Sequence, residues 1–482
     1  MKFNIIDFGA IGDGITLNTE AFRRTCEAAA QAADGAAVIV VPPGVFVSGS
    51  IVLPSNTTLH LEAGAVVKAS QNPDDFLAND EIFPHRVEDG ETPYTIGGRN
   101  YQGLPLYFIG AFHGRNVIID GDGTIDGSGA AFWQDVCFDG QPWIPDDPRR
   151  PALTRVLKPD VRRPVKVSFW KCRDIAMRDV RIVDASAYTV WTQGCVNVRL
   201  QDLFIRNPYQ GPNTDALDID CSENVIIDGC DILAGDDCIA LKSDTSRLGE
   251  DRPCRNIVVS NCVFSSTACG IRVGYEGDGP ITDCSFSNLV IYDTKHAINM
   301  LSLTPTPRPD FERGTLIERI QFTNVSMRNV ARAFHIWCGT ENGAKPYASH
   351  ISDLIFSDIN AVTRNGSLIG SMDGAPIRNV QLRNVHLRRD EHPYLPDKTD
   401  DDGTKAFQRI WGHLPASSEQ TPDHWGWEHI PDVLWLRRME NVRLDAVELE
   451  DIRKTGGHLL RWDGLVNCRR DNALLDPNGT IG

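Results

Sequence analysis

One short phrase recurs along most of the chain and limits what it can fold into. It runs as a polar residue, often Asn or Asp, then alternating apolar positions, then a second Asn or Asp followed by apolar residues. It reads Asn116-Val-Ile-Ile-Asp-Gly, Asp174-Ile-Ala-Met-Arg-Asp-Val, Asn197-Val-Arg-Leu-Gln-Asp-Leu, Asn224-Val-Ile-Ile-Asp-Gly-Cys and Asn256-Ile-Val-Val-Ser-Asn-Cys. It continues as Asp283-Cys-Ser-Phe-Ser-Asn-Leu, Arg319-Ile-Gln-Phe-Thr-Asn-Val, Asp353-Leu-Ile-Phe-Ser-Asp-Ile, Asn379-Val-Gln-Leu-Arg-Asn-Val and Asn441-Val-Arg-Leu-Asp-Ala-Val. Between Ile175 and Val380 the spacing is about 23 to 36 residues, each unit holding two or three short period-2 strands and no helical periodicity. Short strands, polar turns and a repeat too short for a propeller blade predict a parallel β-helix with one coil per repeat. Asn and Asp tolerate left-handed backbone and bond their own chain, which suits the corners of a coil.

On this reading the 482 residues form about ten coils of one solenoid and not several domains. The N-terminus departs from the repeat. Asn18-Thr19-Glu20, the apolar positions Phe22, Cys26, Ala29, Ala30 and Ala33, and Asp34-Gly35 predict a capped amphipathic helix ended by Gly. It is followed by a strand from Ala37 to Val41 and a turn at Pro42-Pro43-Gly44, so a cap of about residues 1–45 plugs the first coil. From about 390 to 431 the repeat lapses into a long loop carrying Trp411, Trp425 and Trp427, which either stack on a sugar ring or anchor the loop. Cys172, Cys195, Cys221 and Cys254 each precede the strand that opens their coil and are expected to stack as small buried side chains.

The formal net charge of −17 argues against nucleic acid or an anionic membrane as a partner, any polyanion contact needing a local basic pocket. No signal-like segment and no run of about 18 apolar residues occurs, and the 13 cysteines make an odd number. The expectation is a cytoplasmic chain without a disulfide framework. No CxxC or HxxxH pattern marks a structural zinc site.

The chemistry concentrates in Asn213-Thr214-Asp215-Ala-Leu-Asp218-Ile-Asp220 and Gly235-Asp236-Asp237-Cys238-Ile-Ala-Leu-Lys242-Ser243. Asp215 and Asp236 are about one coil apart, so Asp215, Asp236 and Asp237 crowd one face of adjacent rungs, about 4.8 Å apart plus a lateral offset. Like charges that close leave one carboxyl protonated beside an ionised one. Such a pair can hydrolyse a glycosidic bond, and an inverting reaction asks for about 6.5–9.5 Å between the two. Clustered carboxylates also bind calcium, but the alternating Asp/Asn loop with a terminal Glu is absent. Asp120, Asp126, Asp228 and Asp231 read as corner residues only.

These stretches, together with Phe8-Gly-Ala-Ile-Gly-Asp-Gly, Val41-Pro-Pro-Gly-Val-Phe, Leu59-His-Leu-Glu-Ala-Gly-Ala and Ile125-Asp-Gly-Ser-Gly, resemble glycoside hydrolase family 28, the polygalacturonases and rhamnogalacturonan hydrolases. The resemblance covers about residues 3 to 300 and implies an all-β, single-domain right-handed parallel β-helix over residues 1–482. It implies an inverting hydrolase without metal or organic cofactor, with Asp236 as general acid and Asp215 and Asp237 holding and activating water. Asn213 belongs to the family's motif, and Lys242 either points into the cleft or caps a turn. Two departures stand out. Cys269 occupies the place of the family's Gly-His-Gly histidine, and Asn299 and Leu301 occupy the two cationic places of an Arg-Ile-Lys that binds the sugar carboxylate.

An amide and an aliphatic side chain cannot neutralise a uronate. The expectation is therefore a neutral sugar bonded by Asn299, or a clamp rebuilt from Arg272, Lys295 or His296. Strand alternation puts Arg272 on the face opposite Cys269, making it a surface residue unless a bulge intervenes, and His296 is either a ligand or a corner residue. Tyr275 and Glu276 lie just past this strand, at the expected cleft rim. The predicted activity is exo hydrolysis of pectin-type or related oligosaccharides. A polysaccharide lyase or epimerase, or a non-catalytic carbohydrate-binding β-helix, are the alternatives.

Overall fold

The computed structural model describes residues 1–32, 35–79, 95–96, 99–100, 106–135, 155–157, 163–209, 211, 213–303, 313–339, 350–372, 375–390, 430–454 and 456–482. Over these residues the chain winds into a right-handed parallel β-helix carried by a 23-stranded and a 14-stranded sheet. The recurrent phrase forms the larger sheet. Its first apolar position stacks in register as Val117, Ile175, Val198, Val225, Ile257, Cys284, Ile320, Leu354, Val380 and Val442, all buried. Further along the same rungs the rings of Phe286, Phe322 and Phe356 stack nearly parallel, 4.5 and 5.4 Å apart. Because each coil buries its apolar face only against its neighbours, the core is one continuous column.

The polar residue that opens each phrase turns the corner with left-handed backbone: φ is +58° at Asn224, +58° at Asn256 and +57° at Asn379. The side chains then bond along the helix axis. Asn224 Nδ2 donates to Asn197 Oδ1 at 3.1 Å, and Asn256 Nδ2 to Asn224 Oδ1 at 2.9 Å. Where Arg319 takes the same corner (φ +54°), its guanidinium continues the ladder with bonds of 2.7 and 3.0 Å to Asp283. Asp120, Asp126, Asp228 and Asp231 are bonded or ion-paired to neighbouring coils, in keeping with a corner role.

The N-terminal helix α1 (Thr19–Ala30) buries Ala21, Phe22, Thr25, Cys26 and Ala29 against the first coil. It ends at Ala30 and not at Gly35, because the chain must descend to the strand Ala37–Val41, which pairs beside Lys2–Asn4. Nor does the Asn18 side chain cap it. Its amide is spent on Ile11, Thr16 and Val47, tying the helix to the first coil. The cysteine stack also differs in one rung. Cys172, Cys195 and Cys254 line the core, but Ser222 takes the place between Cys195 and Cys254, while Cys221 packs outside it with Trp170, Trp191 and Leu248. Ser222 Oγ there accepts from Cys195 N at 3.1 Å and donates to the carbonyl of Asp220 at 2.9 Å.

The 14-stranded sheet carries the site. Eleven of its strands, in chain order, are β1 (Leu106–Phe112), β2 (Pro164–Trp170), β3 (Val190–Gln193), β4 (Leu217–Asp220), β5 (Ile239–Ser243), β6 (Cys269–Gly277), β7 (His296–Leu303), β8 (Arg332–Gly339), β9 (Ser367–Ser371), β10 (Leu434–Arg437) and β11 (Leu460–Asp463). The long loop expected over about 390–431, with its three Trp residues, lies almost wholly outside the described residues. Across it β9 pairs directly with β10, so the coil resumes in register. Among the described residues no helix is long and apolar enough to cross a membrane.

Candidate active site

Where β4 to β8 begin, two successive residues point into the core: Ala216 and Leu217, Cys238 and Ile239, Ala297 and Ile298, Ala333 and Phe334. In β6 the first of the pair is Gly270, where a Cβ would meet the Ala297 carbonyl and Ile291 at 2.9 Å. This corner breaks the two-residue alternation of a strand. The residue before the pair and the residue immediately after it both face outward. The first set runs Asp215, Asp237, Cys269, His296, Arg332 on successive rungs. The second runs Asp218, Ala240, Arg272, Asn299, His335.

Cys269 and Arg272 therefore share one face, contrary to simple alternation. Arg272 Nε lies 3.0 Å from Asp237 Oδ2, and its Nη1 donates to Asn299 Oδ1 at 2.9 Å. The Cys269 thiol, pushed well up by burial, also meets Asp237. Arg272 is a largely buried ion-pair partner of an acid, its side chain 12% exposed, and not a surface residue.

Carboxylate oxygens of Asp215, Asp236 and Asp237 lie within 4.8 Å of one another, and all three residues are buried. Asp215 and Asp237 occupy directly adjacent rungs, and Asp236 immediately precedes Asp237. Burial, reinforced by the charges of Asp215 and Asp237, holds the Asp236 carboxyl well above the usual carboxylate range. Asp215 is raised by burial to about 6, with Lys242 opposing the shift. Among the described residues this is the one carboxylate group tight enough to hold a metal ion, and Arg272 and Lys242 already bring positive charge to it.

Lys242 is buried and does not cap a turn. Its Nζ lies 2.7 Å from Asp218 Oδ1, 2.6 Å from Glu276 Oε2 and 3.6 Å from Asp215 Oδ2, and 4.1 Å from the centre of the Tyr188 ring. Burial pulls the ammonium down, but Asp218, Glu276 and Asp215 together hold it charged. Asn213 sits at a left-handed corner (φ +51°) and accepts from Arg163 Nη2 at 2.7 Å.

C-terminal to the acids the same face turns cationic. Buried Lys295 and Arg332 lie with Arg272, and burial plus the charge of Arg332 brings Lys295 down to about 7. His296 stacks on His335, ring centres 4.7 Å apart, and burial next to His335 and Lys295 keeps it neutral. Asn299 Nδ2 donates to His335 Nδ1 at 2.6 Å. Beside and beyond these cations the face becomes apolar: Leu301, Leu303 and Trp337 on the same strands, and Leu368 and Trp435 on the next two, are buried together with Ile430.

The structure thus brings together Asp215, Asp236, Asp237, Lys242, Cys269 and Arg272, and joins Asn299 and His296 to them through Arg272 and His335. Sequence reasoning placed Asp218 in the acidic stretch without a role, missed Arg332 and His335, and gave Glu276 only a place on the rim. Asp218 stands three residues after Asp215, and Arg332 one 36-residue coil after His296; only the two-residue corner makes those offsets meaningful.

A right-handed β-helix with three crowded acids on one face defines a class of carbohydrate-active proteins, and the comparisons place the chain within it. Residues 35–394 match the sequence profile of Glycosyl hydrolases family 28, and the chain belongs to that family. It is 27% identical over 466 residues to a probable polygalacturonase of Vitis vinifera, covering 93% of this chain and 85% of that protein. It is 25% identical over 346 residues to an endo-polygalacturonase of Pectobacterium carotovorum subsp. carotovorum, covering 72% and 78%. The solved family 28 exopolygalacturonase of Yersinia enterocolitica shares the fold, with a TM-score of 0.70 at 19% identity over 98% of this chain and 79% of that one. The protein is a glycoside hydrolase.

Proposed function

We propose that this enzyme is an inverting, exo-acting hydrolase of pectin-type oligosaccharides that binds a uronate carboxylate through relocated cations, on a one-domain β-helix. The observation that carries this is the order of groups along one sheet face: three acids, then Arg272, Lys295 and Arg332, then a buried apolar wall. Asp236, protonated by its surroundings, gives its proton to the leaving oxygen. Asp215 and Asp237 hold and deprotonate the water. Each has a buried Oδ1 without a hydrogen-bond partner among the described residues, as two acceptors of one water require. Retention would need one carboxylate as nucleophile, and this site offers two beside the acid.

The places matched to the family's Arg and Lys hold Asn299 and Leu301, and Leu301 is committed to the apolar cluster. Positive charge is supplied instead by Arg272 from the rung before and by Lys295 and Arg332, which restores neutralisation of a carboxylate. The relatives' names, polygalacturonases, agree with an anionic substrate; they include endo- and exo-enzymes, so the exo reading rests on the apolar wall that fills the face beside and beyond the cations. The test compares kcat/KM on a galacturonate oligomer and on the same oligomer with its carboxyls reduced. The proposal expects about 100-fold preference for the acid form, as for a charged partner left unpaired, and monomer as the first product. Equal rates on the two would overturn the uronate reading, and mixed product sizes early in the digest would overturn the exo reading.

A further inference from the structure

A second feature of the site has no part in the reaction as described: the ion-paired cluster built around Lys242. Strand β6 pairs regularly with β5 up to Leu241 and Val273, and the next matched pair is Ser243 and Gly277. One residue, Lys242, is thus opposed by three, Gly274, Tyr275 and Glu276. This bulge needs left-handed backbone, which two glycines supply freely and Tyr275 only at a cost. Gly274, Tyr275 and Gly277 have φ of +80°, +75° and +107°, and a Cβ on Gly277 would lie 1.9 Å from the carbonyl oxygen of Ser243. Left-handed backbone at a tyrosine is uncommon and persists only where the surroundings fix it, and bulges beside active sites re-aim a side chain. The side chain re-aimed here is Glu276, which reaches back one coil to Lys242.

An ammonium has three donors. Asp218 at 2.7 Å and Glu276 at 2.6 Å take the close positions, and Asp215 is left at 3.6 Å, beyond hydrogen-bond distance. The groups that face Asp215 are Asp236 and Asp237 from the next coil, Lys242 of β5, Glu276 of β6, Asp218 of its own coil and Tyr188 from the coil before. We propose that Glu276 is a positioning residue for the hydrolysis: with Asp218 it holds the Lys242 ammonium off Asp215, which leaves Asp215 a strong enough base to activate water. The inference rests on the role of Asp215 given above.

The sign follows from charge. A full ion pair with Lys242 would make Asp215 a weak base that stays ionised far below neutrality, and base catalysis weakens with basicity. The two competing carboxylates prevent this, consistent with Asp215 lying at about 6. Replacing Glu276 by Gln removes one competitor, so Lys242 closes on Asp215.

The experiment is a pH profile of kcat/KM and kcat for wild type, Glu276→Gln and Lys242→Met on a galacturonate oligomer. Glu276→Gln should move the acid limb down by about one pH unit and lower the plateau kcat by about tenfold, while Lys242→Met moves the limb up. An unmoved limb in Glu276→Gln overturns the proposal, whatever happens to kcat. If Glu276→Gln does not fold, Glu276→Asp serves, with a smaller shift of the same sign. The Asp215 titration is also read without substrate, by carboxyl-carbon NMR of aspartate-labelled protein with Asp215→Asn for assignment. An Asp215 titration that falls in Glu276→Gln supports the inference even if no oligomer is cleaved, and one that stays put refutes it, so its failure is separable from that of the hydrolase reading.

Discussion

Burial of Asp236 sets its chemistry and costs stability at once. Its folded-state carboxyl sits well above the usual carboxylate range, so the stability that protonation contributes is fully present below the ordinary aspartate range and is lost as pH rises through the folded value. At pH 8 the unfolded chain has this group ionised, so folding must either bury the charge or take up a proton, and both cost stability. Asp236→Asn, neutral at every pH, should raise Tm by a few degrees at pH 8, on the order of 1 kcal/mol for a chain of this size. The same variant should lose turnover by about 10³-fold. Calorimetry and a single-turnover assay check both halves. A second pair of groups shapes the pH profile. Asp215 must be ionised, so kcat/KM should fall below about pH 6. Lys295 loses its charge above about pH 7, so KM should rise there with kcat less affected, and Lys295→Arg should abolish that rise. A flat KM from pH 6 to 9 in wild type would count against Lys295 as a carboxylate ligand. The acids were legible in the sequence because their spacing is one coil. The facing of Arg272 was not, since strand alternation is reset at a corner that no residue type announces. Lys295 was legible as a candidate for a rebuilt clamp, whereas Arg332 was not, because it stands one 36-residue coil beyond His296.

A single coil is defined by its corners as much as by its strands. Asn224 carries a left-handed backbone (φ +58°) while bonding both Asn197 and Asn256. Asn224→Gly keeps the backbone and loses the ladder, whereas Asn224→Val loses the ladder and adds left-handed strain of about 1–2 kcal/mol at a β-branched residue. Thermal unfolding should rank wild type above Asn224→Gly and Asn224→Gly above Asn224→Val, and equal Tm values for the two variants would show that corner strain is not what Asn relieves. The phrase itself was legible in the sequence, because Asn and Asp at each corner and apolar alternation between corners are local properties. The rung-level details were not. Whether Cys221 or Ser222 enters the core depends on where the chain turns, a matter of one residue, and both are small enough to fit. The end of α1 likewise depends on where the strand Ala37–Val41 begins and not on Gly35.

Along the whole molecule, the face of β3 to β10 changes from acidic to cationic to apolar, within a chain of net charge −17. That surplus of negative charge, distributed over coil corners, pointed away from an anionic substrate, because a global charge says nothing about three cations gathered on adjacent coils. The repeat determined the architecture, while the substrate is set by side chains that meet only after several coils have stacked. The measurement that bears most directly on the account is a proton NMR time course of the digestion of a galacturonate trimer by wild type and Asp236→Asn. Wild type should release monomer first, the new reducing end appearing initially in the anomeric configuration opposite to that of the bond cleaved, and Asp236→Asn should release none on the same time scale. A first product that retains the configuration, or one carrying a carbon–carbon double bond, would contradict it.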